Sequence, residues 1–139
     1  MLIPGACHCG NLRFTLEWRP APTEIPARAC GCSFCQKHGG VWTSCPQGVL
    51  EVRIRDPQQV QRYAFGTRTA DFHVCRSCGV VPVVTSEIAG HLYAVVSVNA
   101  MEGLDAALVR RAPASFEAES EAARLARRAR NWIADVRFR

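Results

Sequence analysis

No stretch of this chain approaches the roughly 20 consecutive apolar residues that a membrane-spanning helix needs, so no such helix is expected. There is also no low-complexity tract, no linker of the kind that joins two domains, and no internal repeat beyond short cysteine pairs. A chain of 139 residues without these features is expected to form one domain around a modest core. The first residues, Met1-Leu2-Ile3-Pro4-Gly5, carry neither the basic region nor the apolar stretch of a secretory signal. The expectation is a cytoplasmic, reducing setting, in which a disulfide scaffold would not persist. Hydrophobic residues at 48% and charged residues at 21% exclude a disordered or membrane-embedded composition.

What the sequence does have is cysteine. Seven of its eight cysteines fall into three clusters: Cys7-His8-Cys9, Cys30-Gly31-Cys32-Ser33-Phe34-Cys35 and Cys75-Arg76-Ser77-Cys78. A C-x-C or C-x-x-C knuckle can aim two sulfurs at one zinc ion, and zinc is usually held by four such groups at about 2.0–2.3 Å. Seven ligands divide into four plus three. Cys7 and Cys9 with Cys75 and Cys78 would make a closed structural site, tying the N-terminus to a hairpin far along the chain. Cys30, Cys32 and Cys35 would then occupy three corners of a second tetrahedron, with the fourth open to substrate. The competing expectation is a second closed site, with Cys45 or a histidine as its fourth ligand. Cys45 alone, on an apolar segment before Pro46, reads as a small buried hydrophobe.

The formal charge of +5 invites a nucleic-acid reading. Seven thiolates and two zinc ions would subtract about three charges and leave about +2, because metal binding releases the thiol protons.

Period-two alternation marks residues 11–18, with Leu12, Phe14, Leu16 and Trp18 on one face. Gly10 is placed to turn the chain behind the first knuckle. Further strand candidates are 41–45, 49–55, 60–65, 69–74, 80–85 and 91–98. Pro20, Pro22 and Pro26 mark an irregular segment, residues 36–40 a turn, and residues 103–113 a connector. The fold class expected is mainly β, with a single C-terminal helix over residues 115–134. That helix has an apolar stripe of Phe116, Ala122, Leu125, Ala126, Ala129 and Ile133, and its acids precede its arginines, as the helix dipole favours. It is expected to pack that stripe on the β body; binding phosphate through Arg124, Arg127, Arg128 and Arg130 is the alternative.

Five groups of residues together resemble a known family: Gly5-Ala6-Cys7-His8-Cys9-Gly10; the second cysteine cluster with Gly39; Tyr63 with Phe65-Gly66; Cys75-Arg76-Ser77-Cys78-Gly79 with Pro82; and Val98-Asn99. The pattern, over roughly residues 5–105, is similar to the glutathione-dependent formaldehyde-activating enzymes and the related domain of centromere protein V. The resemblance implies a small tent-like fold of short antiparallel sheets around zinc, covering residues 1–112. Residues 113–139 would then be a helical extension packed on the same domain. It implies structural zinc at Cys7, Cys9, Cys75 and Cys78, and catalytic zinc at Cys30, Cys32 and Cys35, two ions per chain. The implied activity is that of a zinc-dependent carbon–sulfur lyase acting on formaldehyde and glutathione.

The expected partner is therefore a small thiol or thiol–aldehyde adduct resembling glutathione. Membrane and nucleic acid are not expected partners, and a homodimer stays open. The alternative function is a non-catalytic zinc module for binding protein or nucleic acid. His38 is the better histidine for a supporting or proton-transfer role, though a solvated loop position fits it equally. Arg28, Lys37, Arg62 and Arg68 could meet a substrate carboxylate, but surface arginines are commonly just solvated.

Overall fold

The computed structural model describes residues 1–139 as eleven strands and two α-helices, with short 3-10 turns between them. A four-stranded sheet has the order β1 (Leu2–Ala6), β2 (Leu12–Glu17), β5 (Val49–Ile54) and β11 (Asp135–Phe138). A seven-stranded sheet runs β10 (Val109–Ala114), β3 (Ile25–Cys30), β4 (Val41–Thr43), β9 (His91–Ser97), β8 (Val83–Ile88), β7 (Asp71–Cys75) and β6 (Val60–Tyr63). The fold is mainly β, as the alternation implied. The sheets are mixed rather than antiparallel throughout, because β10 joins β3 and β11 joins β5 in parallel.

Alternation on β2 does what its pattern requires: Leu12, Phe14, Leu16 and Trp18 are all buried. They join Ile3, Leu50, Val52, Val83, Val96 and Ile133 in the larger core. Gly10 turns with φ +81° and Gly5 lies against the Phe14 ring, where any Cβ would clash. A second cluster of Cys35, Trp42, Phe72, Val84, Val95 and Trp132 lies under the functional site described below.

Four expectations are corrected. The proline-marked segment holds β3, with Pro26 placed before the two residues that pair with β4. The connector holds β10, an edge strand that tolerates Pro113. Residues 36–40, read as a turn, belong largely to a short helix, α1 (Ser33–His38). The C-terminal helix, α2 (Glu121–Asn131), is shorter than its periodicity implied and is followed by β11.

The face that α2 turns inward also differs from expectation. Ala122, Ala126 and Ala129 of the apolar stripe are exposed, whereas Arg128 is buried and Arg124, Leu125 and Arg127 are half-buried. Apolar anchoring comes instead from the residues just after the helix. Trp132 and Ile133 are buried, and Ile133 exchanges both backbone hydrogen bonds with Ala94 of β9 at 2.9 and 3.0 Å.

Candidate metal centres and the pocket above them

Chain reversals assemble the first cluster. Cys7 and Cys9 follow β1, in a turn closed by Gly10 N–H donating to Cys7 O at 3.1 Å. Cys75 ends β7, and Gly79 N–H closes the next turn onto Cys75 O at 2.8 Å. The Cys7, Cys9, Cys75 and Cys78 sulfurs all lie within 4.8 Å of one another. Two of the separations are 3.7 Å (Cys7–Cys9) and 3.5 Å (Cys9–Cys75). Sulfurs about 2.3 Å from a common ion at tetrahedral angles stand about 3.8 Å apart, so this donor set fits zinc. Leu12 N–H donates to Cys7 Sγ at 3.3 Å, which holds the sulfur toward the turn. At Cys78 burial opposes ionisation, but hydrogen bonds from the backbone N–H groups of Val80 and Cys9 and from the Cys75 and Cys7 side chains together outweigh it and hold the thiol at about 6. Burial pushes its neighbour Cys75 up to about 11.

The second cluster is built by α1. Cys30 ends β3, Cys32 caps the helix by accepting Cys35 N–H at 3.3 Å, and Cys35 lies buried on the first turn. Gly39 ends the helix in the left-handed region, φ 71°, and donates its N–H to Cys35 O. The Cys30, Cys32 and Cys35 sulfurs again lie within 4.8 Å of one another, with no fourth histidine, cysteine or carboxylate in the group. Trp42 Nε1 donates to Cys35 Sγ at 3.3 Å. Hydrogen bonding from Cys35, then from Cys32, draws Cys30 down to about 5 against the opposing effect of burial, and the Arg127 charge helps; sharing with Cys30 and burial push Cys35 up.

Cys45 is not near this trio: it packs in the larger core and donates to Arg19 O at 3.2 Å. His38 is exposed, with its ring 4.3 Å from the Phe34 ring.

The trio forms part of the lining of a cavity of about 410 Å³, which the four-cysteine cluster does not line. Its apolar lining includes Trp42, Phe65, Phe72, Phe116 and Trp132, and its charged lining includes Arg28, Arg124, Arg127 and Arg128. Sequence reasoning placed all seven cysteines in these two groups and offered Arg28 as a contact for a substrate carboxylate, but it named none of the aromatic residues as a pocket wall and read Arg124, Arg127 and Arg128 only as an alternative phosphate-binding face. Trp42 gives no local signal. Arg124, Arg127 and Arg128 do, since their i, i+3, i+4 spacing puts them on one helix face.

Gly40 couples β4 to the trio. A Cβ there would stand 2.8 Å from Cys35 Sγ and 3.0 Å from Trp42 Nε1. Gly40→Ala should therefore force the Cys35 sulfur off its position and cost about 1–3 kcal/mol, the usual range for overpacking. Urea denaturation checks this as a lowered midpoint with an unchanged slope.

The family profile described as glutathione-dependent formaldehyde-activating enzyme matches residues 2–114. The chain belongs to that family. A Halomonas elongata protein provisionally named a glutathione-dependent formaldehyde-activating enzyme is 42% identical over 40 residues, which is 29% of this chain and 24% of that relative. This chain thus matches only about a quarter of that relative's length. A Rhodobacter sphaeroides protein solved by a structural genomics effort is 31% identical, with a TM-score of 0.58 over 75% of this chain and 92% of that one. Both cysteine clusters of this formaldehyde-activating-enzyme family member fall inside the matched residues, whereas α2 and β11 lie outside them. No helix of the chain is long and apolar enough to cross a membrane.

Proposed function

We propose that this family member is a zinc-dependent carbon–sulfur lyase that makes or cleaves thiol–aldehyde adducts, with formaldehyde and a glutathione-like thiol as the reference pair. The observation that carries the reading is the asymmetry of the two clusters. One cluster offers the four donors a tetrahedral ion takes, while the other offers three and lines a pocket. Closed sites hold structure, and open ones take substrate.

In this reading Cys7, Cys9, Cys75 and Cys78 hold a structural zinc, and Cys30, Cys32 and Cys35 hold a second. An ion in the second site supplies a means of keeping a substrate thiol deprotonated near neutral pH and of polarising an aldehyde oxygen. The chain's own groups do the rest. The Trp42 and Cys35 N–H donors fix the directions of the Cys35 and Cys32 sulfurs. Trp42, Phe72 and Trp132 exclude water from one side of the pocket. In the synthetic direction the substrate sulfur bonds to the aldehyde carbon, and the proton lost from sulfur ends on the former carbonyl oxygen. Cleavage is the reverse, so neither oxidant nor reductant is needed.

The test is zinc content by elemental analysis of protein purified without chelator, followed by an adduct assay. Two zincs per chain are expected, one lost on mild chelation and restorable. The restored protein should form the glutathione–formaldehyde adduct faster than the spontaneous rate. A single zinc, or two that both resist removal with no rate above background, would replace this reading with a non-catalytic zinc module.

A further inference from the structure

We infer that the chain beyond the family-matched residues completes a seat for an anionic substrate group carried on an apolar body, with Arg128 and Arg28 taking the anion. The inference deepens the reading of the pocket as a thiol–aldehyde site and rests on it.

Arg128 is 9% exposed, yet no carboxylate lies within ion-pairing distance of it. Its Nη1 donates to two hydroxyls, Thr69 Oγ1 at 2.9 Å and Ser86 Oγ at 3.1 Å. Its Nε is buried with no partner at all. A buried guanidinium is ordinarily paired, because removing the charge from water costs several kcal/mol that hydroxyls alone do not return. Arg28 repeats the pattern less deeply: it is half-buried, donates to Ser44 Oγ at 2.9 Å, and has no carboxylate partner. Ser44 in turn donates to Asn131 O at 2.7 Å, which ties Arg28 to the end of α2.

The acids nearby do not fill the gap. Glu119 is taken by Arg127, through Nε at 3.0 Å and Nη2 at 3.1 Å, while Arg124 lies 3.9 Å away. Glu117 lines the pocket but is exposed and pairs with nothing. Burial first, and then the neighbouring Arg127 and Arg124 charges, lower Arg128 to about 10, against a smaller opposing pull from the Glu119 carboxylate.

Arg127 is the arginine whose charge bears on Cys30. Arg128 is directed instead to Thr69 and Ser86 and lies over the face of the Trp132 ring, 5.0 Å from its centroid, a cation–π contact that leaves it without an anionic partner. Arg128 is thus a substrate-positioning group and not part of the cysteine cluster. The cavity that the guanidinium groups and the sulfurs share is also lined by the aromatic rings of Trp42, Phe65, Phe72 and Phe116. The occupant that suits both is a carboxylate or similar anion on an apolar body, and a polar tripeptide suits the aromatic wall less well.

Isothermal titration of the zinc-loaded full chain compares para-(mercaptomethyl)benzoate, the matching benzyl alcohol, the S-methyl ether of the benzoate, and glutathione. The benzoate should bind about tenfold or more tighter than the alcohol, the usual worth of charge-assisted hydrogen bonds, and more tightly than glutathione. Arg128→Gln and Arg28→Gln should each bring the benzoate-to-alcohol ratio near one. Arg110→Gln, at an exposed arginine beside Glu24 (3.6 Å), should leave it unchanged. If Arg128→Gln does not fold, Arg28→Gln carries the comparison. Equal wild-type binding of benzoate and alcohol, equal weakening of both by the two pocket variants, or tighter binding of glutathione would overturn the inference.

The two readings fail separately. Accelerated adduct formation without carboxylate preference removes the anion seat and leaves thiol handling. Arginine-dependent binding of the S-methyl ether without any adduct turnover removes thiol handling and leaves the seat.

Discussion

Cys32→Ser should lower adduct turnover by about a thousandfold and remove one zinc per chain, while the far-UV circular dichroism stays that of the wild type. The magnitude follows if the second site contributes several kcal/mol at the transition state, since about 4 kcal/mol corresponds to about a thousandfold. Retention of the fold follows from local structure. Cys32 is the N-cap of α1, its side chain accepting Cys35 N–H, and serine is among the strongest N-cap residues. The substitution thus keeps the cap and removes the thiolate. Preserved turnover with an unchanged zinc count would show that the trio is not the reacting centre.

Cys75→Ser acts at the other cluster and should prevent the protein from accumulating in a folded form. Cys75 is fully buried in the larger core, with its sulfur 3.5 Å from that of Cys9. A hydroxyl replaces a soft ligand in a site of the kind whose apparent binding energy is about 10–16 kcal/mol in zinc-finger peptides, and a domain's whole stability is about 5–15 kcal/mol. Zinc analysis and urea unfolding check the outcome. A cooperative transition at the wild-type midpoint, with two zincs retained, would mean that the four-cysteine cluster is not what closes β1 onto β7. The contrast between the two variants is itself informative, since serine is tolerated where the cysteine caps a short helix and not where it sits inside the core.

The tertiary structure revised the reading most at the C-terminal end. Helical periodicity in residues 115–134 was visible, and so was an apolar stripe in which three alanines joined Phe116, Leu125 and Ile133. Yet Ala122, Ala126 and Ala129 face outward while Arg128 is buried. A hydrophobic pattern predicts the inward face only when that face meets an apolar core. Here α2 lies along a pocket, and burial of the end of the chain is supplied by Trp132 and Ile133. Strands β3, β10 and β11 escaped for a related reason. Their pairings are non-local and two are parallel, and prolines at 26 and 113 break the alternation that marks a strand in isolation.

From the sequence by itself came the mainly β class, the buried face of β2, and the grouping of seven cysteines into four and three, because period-two burial and knuckle spacing are local properties. Only the tertiary structure decided that Cys45 lies apart from the trio and that the trio lines a cavity. It alone also decided that a buried arginine without a carboxylate lines the same cavity. These facts depend on residues from β3, α1, β4, β7 and α2 meeting in space, and no spacing along a chain encodes which of its faces will be opposed.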